Sequence, residues 1–329
     1  MVAKNYFYLI SILSFFIFIT IGFTVYQLVG ASSIKSLVEQ MHHREQVIAR
    51  SGASSITSFI DLTSRSLLIL SNNDINSQIL NSFAKNWTDT PVAGIIFADT
   101  HGQIKLVASN IEKLSLGGNV SDRDYFIEAS KSPVGSIIIG KPFISRVPGA
   151  GQIYKIPIAT PVFVNNKLNG VLTVSISIPS LTEKYLDPLK ISSKTGVYLI
   201  NSNGDFLKST TLETSNQNLF QFIEKHPFLG DKIIMPLVRQ KLALNQETKL
   251  DIAVPDFITG KITRTLIASS PINLTPSRHW ILAVTTPVDD ALIFISPFIV
   301  RNVILLIVTY FVSLAISLFI CNRFIIIKR

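Results

Sequence analysis

The chain has 329 residues, 47% of them hydrophobic and only 16% charged, with a single cysteine and a net charge of +9. Soluble domains carry about 25% charged residues, so part of this chain belongs in lipid, and one cysteine excludes an intramolecular disulfide. The charge does not describe a nucleic-acid binder: Lys4, Arg301, Arg323, Lys328 and Arg329 lie in two acid-free ends, and between these ends basic residues are scattered among all 21 acidic ones with no basic patch interleaved with aromatics.

In chain order, the first element is a membrane span. No charged residue stands between Lys4 and Lys35, and Tyr6–Gly30 is almost continuously apolar, whereas about 20 such residues suffice to cross a bilayer as a helix. A signal peptide cut near Val29-Gly30-Ala31 is the competing reading, but this apolar region is longer than signal peptides use. Residues 31–71 follow with apolar positions at Ile34, Leu37, Val38, Met41, Val47 and Ile48, then Ile56, Phe59, Ile60, Leu67 and Leu68. That periodicity predicts a long helix, which either pairs with a second copy as a stalk or packs on its own domain. Its apolar stripe is weak at Arg44 and Gly52.

From residue 92 the period becomes that of strands. Val92–Asp99 and Gln103–Ala108 flank the turn Thr100-His101-Gly102, and Ser136–Phe143, Gln152–Val164 and Gly170–Ile178 follow. A second block starts with Thr195–Ile200, the turn Ser202-Asn203-Gly204 and Asp205–Ser209. A helical stretch at Gln217–Glu224 comes next, then strands at Thr248–Val254, Lys261–Ser269 and Trp280–Thr286. The last element is a second apolar span between Arg301 and Arg323. Basic flanks stay on the cytoplasmic side, which puts both termini inside and residues 31–300 outside a two-pass cell membrane protein.

The two blocks repeat. Gly94-Ile-Ile-Phe-Ala-Asp-Thr-His-Gly102 and Gly196-Val-Tyr-Leu-Ile-Asn-Ser-Asn-Gly204 align without a gap at an offset of 102 residues. Each is an apolar strand followed by an Asx-type turn with a glycine able to take positive φ. A period of this length is too long for a solenoid unit, so it reads as two related α+β modules in tandem.

Further motifs stand in a fixed order: Ser121-Asp122-Arg123-Asp124-Tyr125-Phe126 at a helix start, Gly140-Lys-Pro-Phe-Ile-Ser145, Gly170-Val-Leu-Thr-Val-Ser-Ile-Ser-Ile178 and Trp280-Ile-Leu-Ala-Val-Thr-Thr-Pro287. With the repeat and the flanking spans, they resemble the double Cache (tandem PAS-like) sensors found between two membrane helices in bacterial chemoreceptors, histidine kinases and diguanylate cyclases. The resemblance covers about residues 31–320. It implies a fold of class α+β: a long N-terminal helix, then two tandem modules with antiparallel sheets, flanked by two transmembrane helices. The boundaries are a cytoplasmic N-terminus (1–5), a first span (6–30), a stalk helix (31–90), a membrane-distal module (91–185), a membrane-proximal module (186–290), a second span (297–322) and a cytoplasmic tail (323–329).

For function, the resemblance implies a sensor that binds a small molecule in the distal module and signals through the second span. Candidate ligand contacts are Arg123, Asp124, Tyr125, Phe126, Phe143, Ser145, Tyr154 and Ser175. A guanidinium grips a carboxylate through two parallel bonds, while Tyr125 and Phe126 supply apolar walls. The plainer alternative makes Arg123 a helix-terminal salt bridge and the aromatics core. Amino-acid-binding members carry an aspartate near the middle of the closing strand, where this chain has Ser175, so a carboxylate ligand is expected and recognition of an amine is not.

No enzyme is expected. The histidines His42, His43, His101, His226 and His279 form no metal-binding pattern, and neither a nucleophile elbow nor a P-loop occurs. Cofactors and metals are expected to be none. Partners are the ligand, the membrane and a second copy through the stalk and spans, with the output supplied by a longer receptor or by another protein. An anchored interaction or structural subunit, or an accessory subunit of a transport system, is the alternative.

Overall fold

The longest element comes first. Helix α1 (Val2–Ser71) ends one turn before Asn76, whose side chain accepts from Ile79 N at 3.0 Å and caps a second helix, α2 (Ser77–Asn86). The expected stalk helix over 31–90 is therefore two helices, because Asn72-Asn73-Asp74 offers side chains that compete for the backbone. The computed structural model describes residues 2–210, 218–225, 231–255, 261–275, 278–293, 300–301, 303–312 and 314–315, and leaves out most side chains of residues 2–33. The tail expected at 323–329 lies outside them. Among the described residues no helix is long and apolar enough to cross a membrane.

The chain divides into two compact units, residues 44–287 and residues 1–43 with 288–329. The larger holds two antiparallel sheets. In the first, β1 (Val92–Asp99), β2 (Ile104–Ala108), β3 (Ile138–Ile139), β4 (Phe143–Ile144), β5 (Tyr154–Val164) and β6 (Lys167–Ser177) take the order β2-β1-β6-β5-β3, with β4 also on β5. Helix α3 (Asp124–Lys131) lies between β2 and β3 in sequence. A short helix α4 (Ile178–Leu181), a π-type turn (Thr182–Leu186) and a 3-10 turn (Asp187–Leu189) lead to the second sheet.

There, β7 (Gly196–Asn201), β8 (Phe206–Ser209), β9 (Thr248–Pro255), β10 (Ile262–Thr275) and β11 (Arg278–Pro287) take the order β8-β7-β11-β10-β9, the same path as the first. Helices α5 (Leu219–Lys225) and α6 (Asp231–Ala243) stand between β8 and β9 in sequence. A last helix, α7 (Val288–Ile293), belongs to the smaller unit. The strand expected over Ser136–Phe143 is split into β3 and β4 at Gly140-Lys141-Pro142, where proline removes a ladder donor. Asn165 and Asn166, both at positive φ, close the β5–β6 hairpin.

The sequence repeat is a structural one. Asp99 Oδ1 accepts from the backbone N of His101 and Gln103, and Asn201 Oδ1 accepts from Asn203 and Asp205, all at 2.9–3.0 Å. The turns close on Gly102 and Gly204 at φ +76° and +86°. The likeness runs further: Asn119 Nδ2 donates to His101 O and Asn218 Nδ2 to Asn203 O, each at 3.1 Å. Both asparagines tie the turn to the start of the segment that enters the next helix.

One hydrophobic core joins the two sheets through α1. Ala49, Ala53, Ile56, Phe59, Ile60 and Leu67 on the helix share it with Leu172, Val174 and Ile176 of β6, and with Val197, Leu199, Leu282 and Val284 of the second sheet. Each fully buried Leu or Ile contributes about 1.5–3 kcal/mol. At Gly52 the packing leaves no room for a side chain: a Cβ there would stand 2.5 Å from Leu189 Cδ1 and 2.6 Å from Leu282 Cδ2. The weak point of the apolar stripe is thus a point of contact.

Candidate ligand-binding site

Side-chain alternation sorts the first sheet into two faces. Leu172, Val174 and Ile176 on β6, with Ile156 and Ile158 on β5, face the α1 core. The residues between them, Val171, Thr173 and Ser175 on β6 and Lys155, Pro157 and Ala159 on β5, face the other way. Helix α3 covers this second face with Tyr125, Phe126 and Ala129, all buried. Leu114 and Ala150, from the segments after β2 and β4, pack against the same cluster.

The start of α3 is held by Asp124. Its Oδ1 accepts from Tyr125 N at 2.7 Å and its Oδ2 from Lys141 N at 3.1 Å, which fastens the helix to the β3–β4 connection. Arg123, extended and just outside the helix, sends its guanidinium to Ile144 O at 2.9 Å and over the Phe143 ring, 5.3 Å from the centroid. It is half-buried and makes no ion pair among the described residues. The helix-terminal ion pair belongs instead to its neighbour Asp122, which Arg146 Nη1 holds at 2.7 and 2.9 Å. Those bonds keep the Asp122 carboxyl below its ordinary pKa.

Tyr125 is 1% exposed, with its ring 5.5 Å from Phe143. Its hydroxyl is buried and has no hydrogen-bond partner among the described residues. Burial raises its pKa, with the charges of Arg123, Asp124, Arg146 and Asp122 acting on it from nearby. An unsatisfied buried hydroxyl costs about 1–3 kcal/mol, so this oxygen sits in a place where a partner group would be favourable.

The remaining expected residues divide. Phe143 joins Arg123 and Tyr125 directly, and Ser175 lies half-buried on the same sheet face, opposite Pro157 of β5 and Gly94 of β1. Phe126 is buried in the cluster under α3. Ser145 is half-buried, its Oγ accepting from Val147 N at 3.2 Å. Tyr154 shares the parity of Ile156 and Ile158, on the α1 side of β5, and is 40% exposed; the structure does not bring it to the Arg123 cluster.

A pair that the motifs did not single out does belong to this face. Lys155, paired in register with Phe143, is 2% exposed and donates to both carboxylate oxygens of Glu112 at 2.6 and 2.8 Å. Glu112, 10% exposed, also accepts from Gly151 N at 2.9 Å. A charged residue at an inward position of an otherwise apolar strand was the available signal. Among the described residues no group of His, Cys, Asp and Glu could hold a metal ion.

Comparison with known proteins agrees with this architecture. The ligand-binding domain of the Pseudomonas fluorescens chemoreceptor CtaA, in complex with L-serine, is similar over 76% of this chain and 99% of its own, at 17% identity and a TM-score of 0.53. The ligand-binding domain of the Pseudomonas aeruginosa PAO1 amino acid chemoreceptor PctB, in complex with L-Gln, matches over 79% and 96% (13%, 0.53). The extracellular domain of the putative histidine kinase rpHK1S-Z16 matches over 80% and 98% (14%, 0.56). No curated protein matches the sequence. The family model described as Cache domain matches residues 30–293. With most of its length inside that match and its two sheets built on one repeated plan, the chain belongs to the Cache-domain family.

Proposed function

We propose that residues 31–300 form an extracytoplasmic sensor, held by two membrane helices, that binds a small carboxylate in its first, membrane-distal module. One observation carries this: among the described residues the half-buried Arg123 guanidinium has no carboxylate partner, and the Phe143 ring it lies over also packs against Tyr125, whose buried hydroxyl has no partner among them. A carboxylate received there satisfies both, through charge-assisted bonds. Phe143 forms a wall and Ser175 offers a neutral hydroxyl.

Two of the solved structures named above hold L-serine and L-glutamine, which supports a carboxylate end in the ligand. An ammonium end has less support here. Glu112 is taken up by Lys155, Asp122 by Arg146, and both oxygens of Asp124 by backbone N–H groups. Ser175 brings no charge. The ligand class is therefore a carboxylate without an amine requirement.

Membrane anchoring rests on the charge-free stretch after Lys4 and on the second apolar segment. In that segment Ile304, Leu305, Leu306, Ile307 and Val308 are consecutive helical residues and all exposed. A helix apolar on every side fits a lipid environment. The signal passes through the second span to an output module or partner, by a shift between two packings. A second copy is proposed to pair along the α1 face carrying Val47, Leu62 and Ile69, all exposed.

The test is a thermal-shift screen of residues 31–292 against organic acids, amino acids, amines and purines, with wild type and Arg123→Ala. Ligand at about 100 times its dissociation constant adds about 2.7 kcal/mol of stability. Stabilisation of wild type by a carboxylate, lost in Arg123→Ala, is the expected result. A well-folded fragment that no compound shifts sinks the reading and favours an interaction subunit.

A further inference from the structure

The repeat gives the second module the same sheet face, and that face has different chemistry. In the first module Arg123 stands just outside α3, four residues after Asn119; in the second, α5 begins at Leu219, directly after the equivalent Asn218, so no residue stands in Arg123's place.

That face bounds a cavity of about 100 Å³ between the sheet and α5–α6. On the sheet side its walls include Tyr198, Ile200, Phe206, Ile252, Ile267 and Ala283; on the helix side they include Leu219, Met235, Val238 and Leu242. Among the described residues, no Asp, Glu, Lys, Arg or His lines it. Leu219, Met235, Val238, Ile252 and Ile267, all half-buried, give this wall an apolar surface. Water needs two to four polar partners to occupy such a space, and an apolar cavity of about 150 Å³ in another protein stays dry and takes up benzene.

Three of the polar side chains stand in one row. Thr248 pairs with Ser269, Ser269 with Ala283 and Ala283 with Tyr198, so three hydroxyl-bearing residues cross the sheet with the small Ala283 among them. The remaining polar side chains on the wall, Gln246 and Thr285, are also uncharged.

We propose that the membrane-proximal module holds a second binding site, for an uncharged and largely apolar molecule about the size of one aromatic ring or a short alkyl chain. A single hydroxyl or carbonyl on that molecule is received by the Thr248–Ser269–Tyr198 row. This site is independent of the Arg123 site and of the charge that site requires.

The experiment is ¹⁹F NMR of fluorobenzene with the full chain in detergent micelles. Expected is a bound resonance, distinct from the line of fluorobenzene dissolved in empty micelles, that an excess of toluene removes. Filling the cavity by Ala283→Leu from the sheet, or by Val238→Phe from α6, abolishes that resonance, while Arg123→Ala leaves it unchanged. The toluene competition in wild type stands even if one filling variant fails to fold. A spectrum containing only the micelle line overturns the proposal, as does a bound resonance that survives both filling substitutions in folded protein.

Discussion

Arg278, at the start of β11, holds Glu128 of α3 at 2.7 Å through its Nη2, and its Nη1 donates to Ile139 O at 2.6 Å. The last strand of the second module is thereby fastened to the helix that begins with the Arg123–Tyr125 cluster and to the short strand beside it. Both side chains are 43% exposed, so the ion pair itself contributes at most about 1 kcal/mol; the bond to the carbonyl adds a similar amount. Arg278→Gln is expected to cost about 1–2 kcal/mol and to speed amide exchange in α3 more than in α1. Equal exchange in α3 of variant and wild type would show that the two modules are not coupled here.

Tyr125 gives a prediction in which stability and binding move in opposite directions. Removing its unpartnered hydroxyl by Tyr125→Phe is expected to leave the ligand-free protein as stable or to stabilise it by about 1 kcal/mol. The same change weakens carboxylate binding by about tenfold, the loss of one hydrogen bond. Chemical denaturation and calorimetric titration of the same variant check both halves. A clear loss of stability would mean that the hydroxyl has a partner in the native state.

The Lys155–Glu112 pair behaves as a unit. Lys155→Met strands the Glu112 carboxylate in a nearly closed site, a change that costs about 3–5 kcal/mol. Adding Glu112→Leu removes the stranded charge and is expected to restore most of that loss. Urea denaturation of the two single variants and the double variant reads the coupling; strictly additive losses would argue that each residue acts alone.

Glu45 on α1 predicts a pH dependence. It is fully buried, neither carboxylate oxygen has a hydrogen-bond partner of normal geometry among the described residues, and burial pushes its pKa up to about 8, with the Thr286 hydroxyl pulling part of the way back. Between its ordinary value of 4.5 and about 8, the native state holds a proton that the unfolded chain has lost. Stability therefore falls as pH rises through that window, by up to about 1.4 kcal/mol per pH unit, and levels off above it. Glu45→Gln keeps the shape and should flatten that slope. Identical pH profiles for wild type and variant would place a charged Glu45 in the native protein.

The strands were legible because alternation and turn chemistry agree: β1 has the expected ends, and most others differ by a few residues. Helix α6 was not, since Pro236 stands inside it and proline argues against a helix interior. In the site, the Arg123, Tyr125 and Phe143 cluster came from local motifs. Lys155 and Glu112 lie 43 residues apart, and no local pattern announces a pair made only by the fold. Gly52 looked like an interruption of a stripe for the same reason: its use depends on Leu189 and Leu282, which are remote in sequence.

The central claim is that Arg123 receives a carboxylate charge. Its most direct test measures, by calorimetry on residues 31–292, the binding of the acid found in the screen and of its primary amide, which keeps the shape and removes the charge. The account predicts that the acid binds and that the amide binds about 10- to 100-fold more weakly, a charged hydrogen bond being worth about 1.5–3 kcal/mol. Equal binding of acid and amide would contradict it and would place recognition elsewhere on the molecule.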